Sequence, residues 1–180
     1  MPENSKEKQI LSKYGLEIER KYIIAIPDLS IISKEQDYTK SNITQIYLEA
    51  PKGDTHRVRR REYKSETEYT ETVKHRLSAL VATERERTIS EEEYYSLAGK
   101  MDRSTSPIIK TRHTFSYLGQ TFEVDIYPAW KNSCIMETEL RDQSEVVAMP
   151  PFIKILREVT GEKAYSNASM AKSFPEETLP

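Results

Sequence analysis

The chain has 180 residues, with 27 Lys and Arg against 29 Asp and Glu, a formal net charge of −2, and 31% charged residues. That length suits one domain with a sizeable core. The balanced charge argues against nucleic acid as the main partner, because a groove tracking a phosphate backbone shows a basic excess. The single Cys134 excludes an intrachain disulfide and a cysteine zinc site, and it reads as a small buried hydrophobe in a reducing compartment.

In chain order, residues 1–14 read as a polar leader with five charged residues ahead of a domain expected over 15–180. The leader lacks an apolar signal-peptide core, and no uncharged apolar run approaches the length of a membrane span. The protein is therefore expected to be soluble and cytoplasmic, with no membrane partner. Alternating polar and apolar residues predict strands over 16–26, 43–49, 55–63, 67–76 and 81–89. Between the first two, Pro27 and Asp28 can open a short helix through Leu29, Ile31 and Ile32. Ser90-Glu91-Glu92-Glu93 is a capping box, and Tyr94, Leu97, Ala98 and Met101 follow at helical spacing, which predicts a helix over 91–101. Strands over 107–118, 121–128 and 134–142 bring the set to eight, with Gly119 placed for a tight hairpin turn. Pro150-Pro151 ahead of Phe152, Ile155, Leu156 and Val159, with Gly161 behind them, predicts a further helix. The segment 167–173 predicts a last, short one.

The strands share a pattern of charge. Glu17, Glu19 and Lys21 fall on one face of the first strand, with Ile18 on the other. Two carboxylates about 6.6 Å apart repel by about 2–3 kcal/mol at an effective dielectric near 20, so an enclosed face needs an offsetting cation. The same parity gathers Arg57, Arg59 and Arg61, then Thr70, Thr72 and Lys74, then Glu84 and Glu86. It continues with Lys110 and Arg112, with Glu123 and Asp125, and with Glu137 and Glu139. Val58, Val73, Val124 and Ile126 mark the opposite side as buried.

Seven strands with a charged face, six of them repeating like charges at i and i+2, suit a closed barrel with a charged lumen and an apolar exterior covered by helices. Guanidinium forks and ammonium groups in that number suit several phosphates. Carboxylate clusters suit Mg²⁺ or Mn²⁺, which prefer oxygen ligands. Together they indicate a metal-bound polyphosphate. His56, His75 and His113 show no metal-ligand spacing and read as surface or packing residues, as does Trp130. No glycine-rich phosphate loop occurs.

The ordered series carries a resemblance. Glu17-x-Glu19-x-Lys21 resembles the signature of the CYTH superfamily, the triphosphate tunnel metalloenzymes. The likeness continues through Gln45-Ile46-Tyr47-Leu48, Arg57-x-Arg59, Lys74, Glu84-x-Glu86, Lys110-x-Arg112, Asp125, Glu137-x-Glu139 and Tyr165-x-Asn167. The opening Glu-Ile-Glu-Arg-Lys-Tyr with Gln-x-Tyr-Leu most resembles the compact bacterial inorganic triphosphatases. The resemblance implies an α+β fold, an eight-stranded antiparallel closed β-barrel forming a triphosphate tunnel with helices packed outside. It implies that Arg57, Arg59, Lys74, Lys110 and Arg112 hold the triphosphate, and that Glu17, Glu19, Glu84, Glu86, Asp125, Glu137 and Glu139 gather Mg²⁺ or Mn²⁺. Glu17, Glu19, Lys21 and Tyr47 are the implied catalytic set, with Lys21 steering the attacking water or the leaving group.

The implied activity is metal-dependent hydrolysis of inorganic triphosphate and, less efficiently, of nucleoside triphosphates. Formation of cyclic AMP and pyrophosphate by a class IV adenylate cyclase, thiamine triphosphate hydrolysis, and polyphosphate binding without turnover are the alternatives. The expected partner is a triphosphate-containing small molecule, and a homodimer is compatible with the chain.

Overall fold

The computed structural model describes residues 18–76, 82–141 and 144–180. The expected leader over 1–14 and Glu17 lie outside the described residues. Nine strands form one antiparallel sheet: β1 (Ile18–Ala25), β2 (Gln36–Leu48), β3 (Thr55–Tyr63), β4 (Glu66–Arg76), β5 (Ala82–Thr88), β6 (Ile108–Tyr117), β7 (Gln120–Ile126), β8 (Ser133–Leu140) and β9 (Ile155–Glu158). Their order is β5-β4-β3-β2-β6-β7-β8-β1-β9. Among the described residues, three short α-helices accompany them: α1 (Leu29–Ile32), α2 (Glu91–Ala98) and α3 (Asn167–Lys172). Among the described residues, no helix is long and apolar enough to cross a membrane.

Two expectations are corrected here. Among the described residues the sheet has nine strands, not eight, and no ladder joins β5 back to β1, so the described ladders do not themselves close a barrel. The ninth strand, β9, pairs with Tyr22, Ile23 and Ile24 on the outer edge of β1. That same strand replaces the helix expected after Pro150-Pro151. An edge strand leaves a row of unpaired N–H and C=O groups, and the β-branched Ile153, Ile155 and Val159 suit the extended chain that satisfies them. Tertiary pairing outweighs the helical spacing of Phe152, Leu156 and Val159.

Other elements follow their local signals. The Ser90 hydroxyl accepts from the Glu93 N–H and the Glu93 carboxylate from the Ser90 N–H, a reciprocal cap that starts α2 at Glu91. The helix stops at Ala98, short of the expected Met101, which instead bridges to Leu48. The β6–β7 hairpin turns on Leu118 (φ 48°) and Gly119 (φ 78°), the pair of left-handed residues that a two-residue turn matched to strand twist requires.

The convex side of the sheet is apolar. Phe115, Phe122, Val124, Cys134 and Met136 are buried there with Tyr22 and Ile24, beneath Ile32 of α1 and Ile153. Each such side chain contributes about 1.5–3 kcal/mol on leaving water. Burial pushes the Cys134 thiol up to about 12, so it stays protonated and unreactive. Tyr94 of α2 packs on Leu48, Val58 and Ile89 over β2 and β3. Val73, expected on the buried side, is exposed. The helix α3 is not outside at all. Its Met170 and Ala171 pack on Tyr47, Ile108 and Ile135, residues of the inward parity, so α3 stoppers one end of the concave face.

Candidate active site

The inward face of the sheet encloses a cavity of about 510 Å³, within the range of about 300–1,000 Å³ that small-molecule sites occupy. Glu19 and Lys21 of β1 line it together with Thr72 and Lys74 of β4, so the sheet curls far enough to bring these distant strands around one space. Tyr47, Arg57, Arg59, Lys110, Arg112, Glu137 and Glu139 also face it. Strand parity accounts for this convergence: each of these residues is separated from its neighbour in the set by two positions or lies on an adjoining strand.

The cations are held in defined positions by carboxylates. Lys110 Nζ lies 2.5 Å from Asp125 Oδ2, and Arg112 donates through Nε to Oδ1 at 2.7 Å and through a terminal nitrogen to Oδ2 at 2.7 Å. Arg112 also pairs with Glu123, and with Glu137 at 3.6 Å. Asp125 is 0% exposed. Burial pushes its carboxyl up, but Lys110 and Arg112 outweigh burial and hold it down at about 2. Asp125 was expected among the metal ligands. Both of its oxygens are engaged by Lys110 and Arg112, and it does not itself line the cavity.

On the other side, Arg59 approaches Glu86 at 3.3 Å and Arg57 approaches the same carboxylate at 4.0 Å. Thr72 donates to Glu86 at 2.7 Å. Glu86 therefore orients the arginine pair. Glu84 lies opposite Lys74 in the β4–β5 ladder, and its side chain is outside the described residues, as is all of Glu17.

Three carboxylates remain at the β1–β8 seam, where Glu19 pairs in register with Glu139 and Lys21 with Glu137. Lys21 Nζ sits 2.8 Å from Glu137 and 3.4 Å from Glu19, and 3.4 Å from the Tyr165 carbonyl oxygen. Burial draws the Lys21 ammonium down, yet the two glutamates outweigh it and raise its pKa. Among the described residues, no three His, Cys, Asp or Glu side chains converge closely enough to hold a metal ion. The donor set itself, carboxylate oxygens only, is that of a hard divalent cation. Lys21 neutralises part of the charge at the seam.

Tyr47 is 7% exposed and accepts from Gln45 Nε2 at 2.7 Å. Burial raises the phenol pKa although Arg57 opposes it, so Tyr47 is a neutral hydroxyl and not a base near pH 7. Gln45, Thr72 and Glu123 also line the cavity without having been assigned a role from the sequence. Parity places Thr72 and Glu123 on the charged face, and Gln45 stands two residues before Tyr47. Ser166 and Asn167, brought in by the start of α3, could not have been reached that way. His56 and His75 pair instead with Glu71 and Asp54, and His113 is buried against Tyr38.

Comparison with solved structures places the fold. The crystal structure of the inorganic triphosphatase NE1496 superposes with a TM-score of 0.59 at 26% identity, covering 89% of this chain and 97% of that one. The CYTH resemblance therefore extends to the fold. A second structure of NE1496, described as a hypothetical protein, gives a TM-score of 0.58 at 26% identity over 88% of this chain and 99% of that one. The PH1819 protein from Pyrococcus horikoshii OT3 shares the fold at a TM-score of 0.50 and 19% identity, over 68% of this chain and 78% of that one. No protein-family profile and no curated protein matches the sequence. The CYTH-like motifs thus sit on a CYTH-like sheet, and among the described residues Glu19, Lys21, Arg57, Arg59, Lys74, Lys110, Arg112, Glu137 and Glu139 line its cavity.

Proposed function

We propose that the chain is a metal-dependent hydrolase of inorganic triphosphate, and less efficiently of nucleoside triphosphates, acting in a tunnel walled by the curled sheet. The observation that carries this reading is the meeting of Arg57, Arg59, Lys74, Lys110 and Arg112 with Glu19, Glu137 and Glu139 around one cavity. The likeness to an inorganic triphosphatase at 26% identity supports it.

The chain's own residues then do most of the work by position. The guanidinium forks of Arg57, Arg59 and Arg112 and the Lys74 and Lys110 ammonium groups bind phosphate oxygens and stabilise the charge that spreads over them during transfer. Asp125 and Glu86 fix these groups before substrate arrives, so little reorganisation is needed at the moment of reaction. Glu19, Glu137 and Glu139, with Glu17 and Glu84, would hold Mg²⁺ or Mn²⁺, which when bound neutralises phosphate charge and acidifies a water. Lys21 keeps Glu19 and Glu137 oriented toward the cavity, and Tyr47 with Gln45 closes the wall beside Arg57.

Activity is expected to require Mg²⁺ or Mn²⁺ and to be inhibited by Ca²⁺, whose larger and more flexible coordination misplaces the groups around it. Phosphate release measured in excess chelator checks this, and full turnover there would sink the metal-dependent reading. Inorganic triphosphate is expected to show a higher kcat/KM than ATP, because a linear anion free at both ends uses the phosphate contacts without placing a nucleoside. Arg59→Ala should weaken both substrates alike, since it removes a shared phosphate contact. If ATP proved the better substrate with cyclic AMP as product, the hydrolase reading would fail while the fold stood.

A further inference from the structure

Glu123 stands on β7 two residues before Asp125, so both carboxylates leave the strand on its inward face. Both meet Arg112 on the neighbouring strand. Asp125 accepts from Nε and Nη2 in two bonds of 2.7 Å, is fully buried and does not line the cavity. Glu123 pairs with Nη1, lines the cavity, and keeps 35% of its side chain exposed.

The shape of the guanidinium makes this difference matter. Its planar fork binds an anion best along an edge, through two parallel N–H bonds. With Nε and Nη2 given to Asp125, the edge that faces a phosphate in the cavity is Nη1–Nη2. Carboxylates already stand along it, Glu123 at Nη1 and Glu137 at 3.6 Å from Nη2. Glu137 is tied back by Lys21 at 2.8 Å. The Glu123 carboxylate makes no other ion pair or hydrogen bond among the described residues.

Glu123 is therefore the partner that can leave. A phosphate brings more charge than a carboxylate and reaches both terminal nitrogens at once, so it outcompetes a contact made through one of them. Arg112 does not follow the displaced side chain, because Asp125 holds its other edge. Once released, Glu123 faces Glu137 across the β7–β8 ladder, and like charges directly opposite repel. That repulsion turns Glu123 toward solvent while the anion is bound and makes its return to Arg112 favourable when the anion goes.

We propose that Glu123 is a resident competitor for the phosphate-binding edge of Arg112, displaced by a polyphosphate on entry and returning to that edge as product leaves. This rests on the triphosphatase reading of the cavity. Because every anion that takes the edge must break the same contact, Glu123 lowers the affinity for substrate and product alike. It thereby shortens the stay of pyrophosphate and orthophosphate on five cationic side chains that would otherwise retain them. Glu123 acts through Arg112 and is a positioning residue.

The test is calorimetric binding of inorganic triphosphate and of pyrophosphate to the full chain in excess chelator, so that no cation contributes. Glu123→Gln is expected to lower both Kd values by about fivefold, the factor for one partly exposed ion pair that no longer has to be broken. In an Arg112→Lys background, which lacks the fork, the same substitution should change Kd by less than about twofold. If Arg112→Lys does not fold, Glu123→Asp decides: it keeps the charge but withdraws it from the pinned arginine, and it should tighten both anions by at least about twofold. Unchanged or weaker binding in Glu123→Gln would overturn the proposal. Equal tightening in both backgrounds, or no effect of Glu123→Asp, would do the same, since Glu123 would then be one negative charge among several. Phosphate release with Mg²⁺ or Mn²⁺ is followed separately. A chain that binds both anions without releasing phosphate sinks the triphosphatase reading and leaves the exchange at Arg112 standing, whereas a chain that binds neither sinks both.

Discussion

Replacing Glu139 with glutamine is expected to lower kcat by at least about a hundredfold while leaving the fold intact, a loss of about 2.7 kcal/mol of transition-state stabilisation. Glu139 faces the cavity from β8, in register with Glu19 on β1, and its side chain is exposed. Glutamine keeps its shape and removes only its charge. No buried group is left unpaired, so thermal stability should hardly change. The loss falls instead on cation binding, because a hard divalent ion draws its affinity from charged oxygens. Raising Mg²⁺ or Mn²⁺ should recover part of the rate, and the metal titration should shift to higher concentration. Near-normal kcat with metal saturating would remove Glu139 from the site. The same substitution at Glu17, which the motif places beside Glu19, carries the same expectation.

What the sequence makes legible here is parity. A strand alternates faces without regard to tertiary context, so Arg57 and Arg59, Lys110 and Arg112, or Glu137 and Glu139 could be placed on one side from spacing alone, and the cavity bears this out. The partner on the outer edge of β1 was not legible, because it depends on which chain segment reaches that edge. The segment after Pro151 has helix-like punctuation but pairs with Tyr22 as β9, a long-range choice that local propensity does not encode. The split among carboxylates was equally hidden. Asp125 and Glu137 share an inward parity, but Asp125 is enclosed with Lys110 and Arg112 whereas Glu137 reaches the cavity. Spacing gives the face of a side chain and not the depth at which it stops.

That depth has a measurable consequence at Asp125. Asp125→Asn is expected to destabilise the protein by about 3–5 kcal/mol at neutral pH, the cost of breaking a buried ion pair and leaving charge uncompensated. The asparagine cannot neutralise Lys110 and Arg112, both of which the aspartate now holds. Adding Lys110→Met should therefore recover part of the loss, because it removes one of the stranded charges. The pH dependence gives an independent check. With its carboxyl lowered from an ordinary 3.8 to about 2 in the fold, Asp125 contributes about 2 kcal/mol of stability when ionised in both states. That contribution is fully present above about pH 4 and is lost as pH falls toward 2, because the unfolded chain takes up the proton first. Urea unfolding across this window should show the unmodified protein losing about 2 kcal/mol more than Asp125→Asn. A cost below about 1 kcal/mol at neutral pH, with parallel acid limbs, would mean that Asp125 is not the buried anchor of the phosphate-binding cations. The same variant should also show reduced kcat/KM for every triphosphate, since Lys110 and Arg112 would lose the partner that aims them into the cavity.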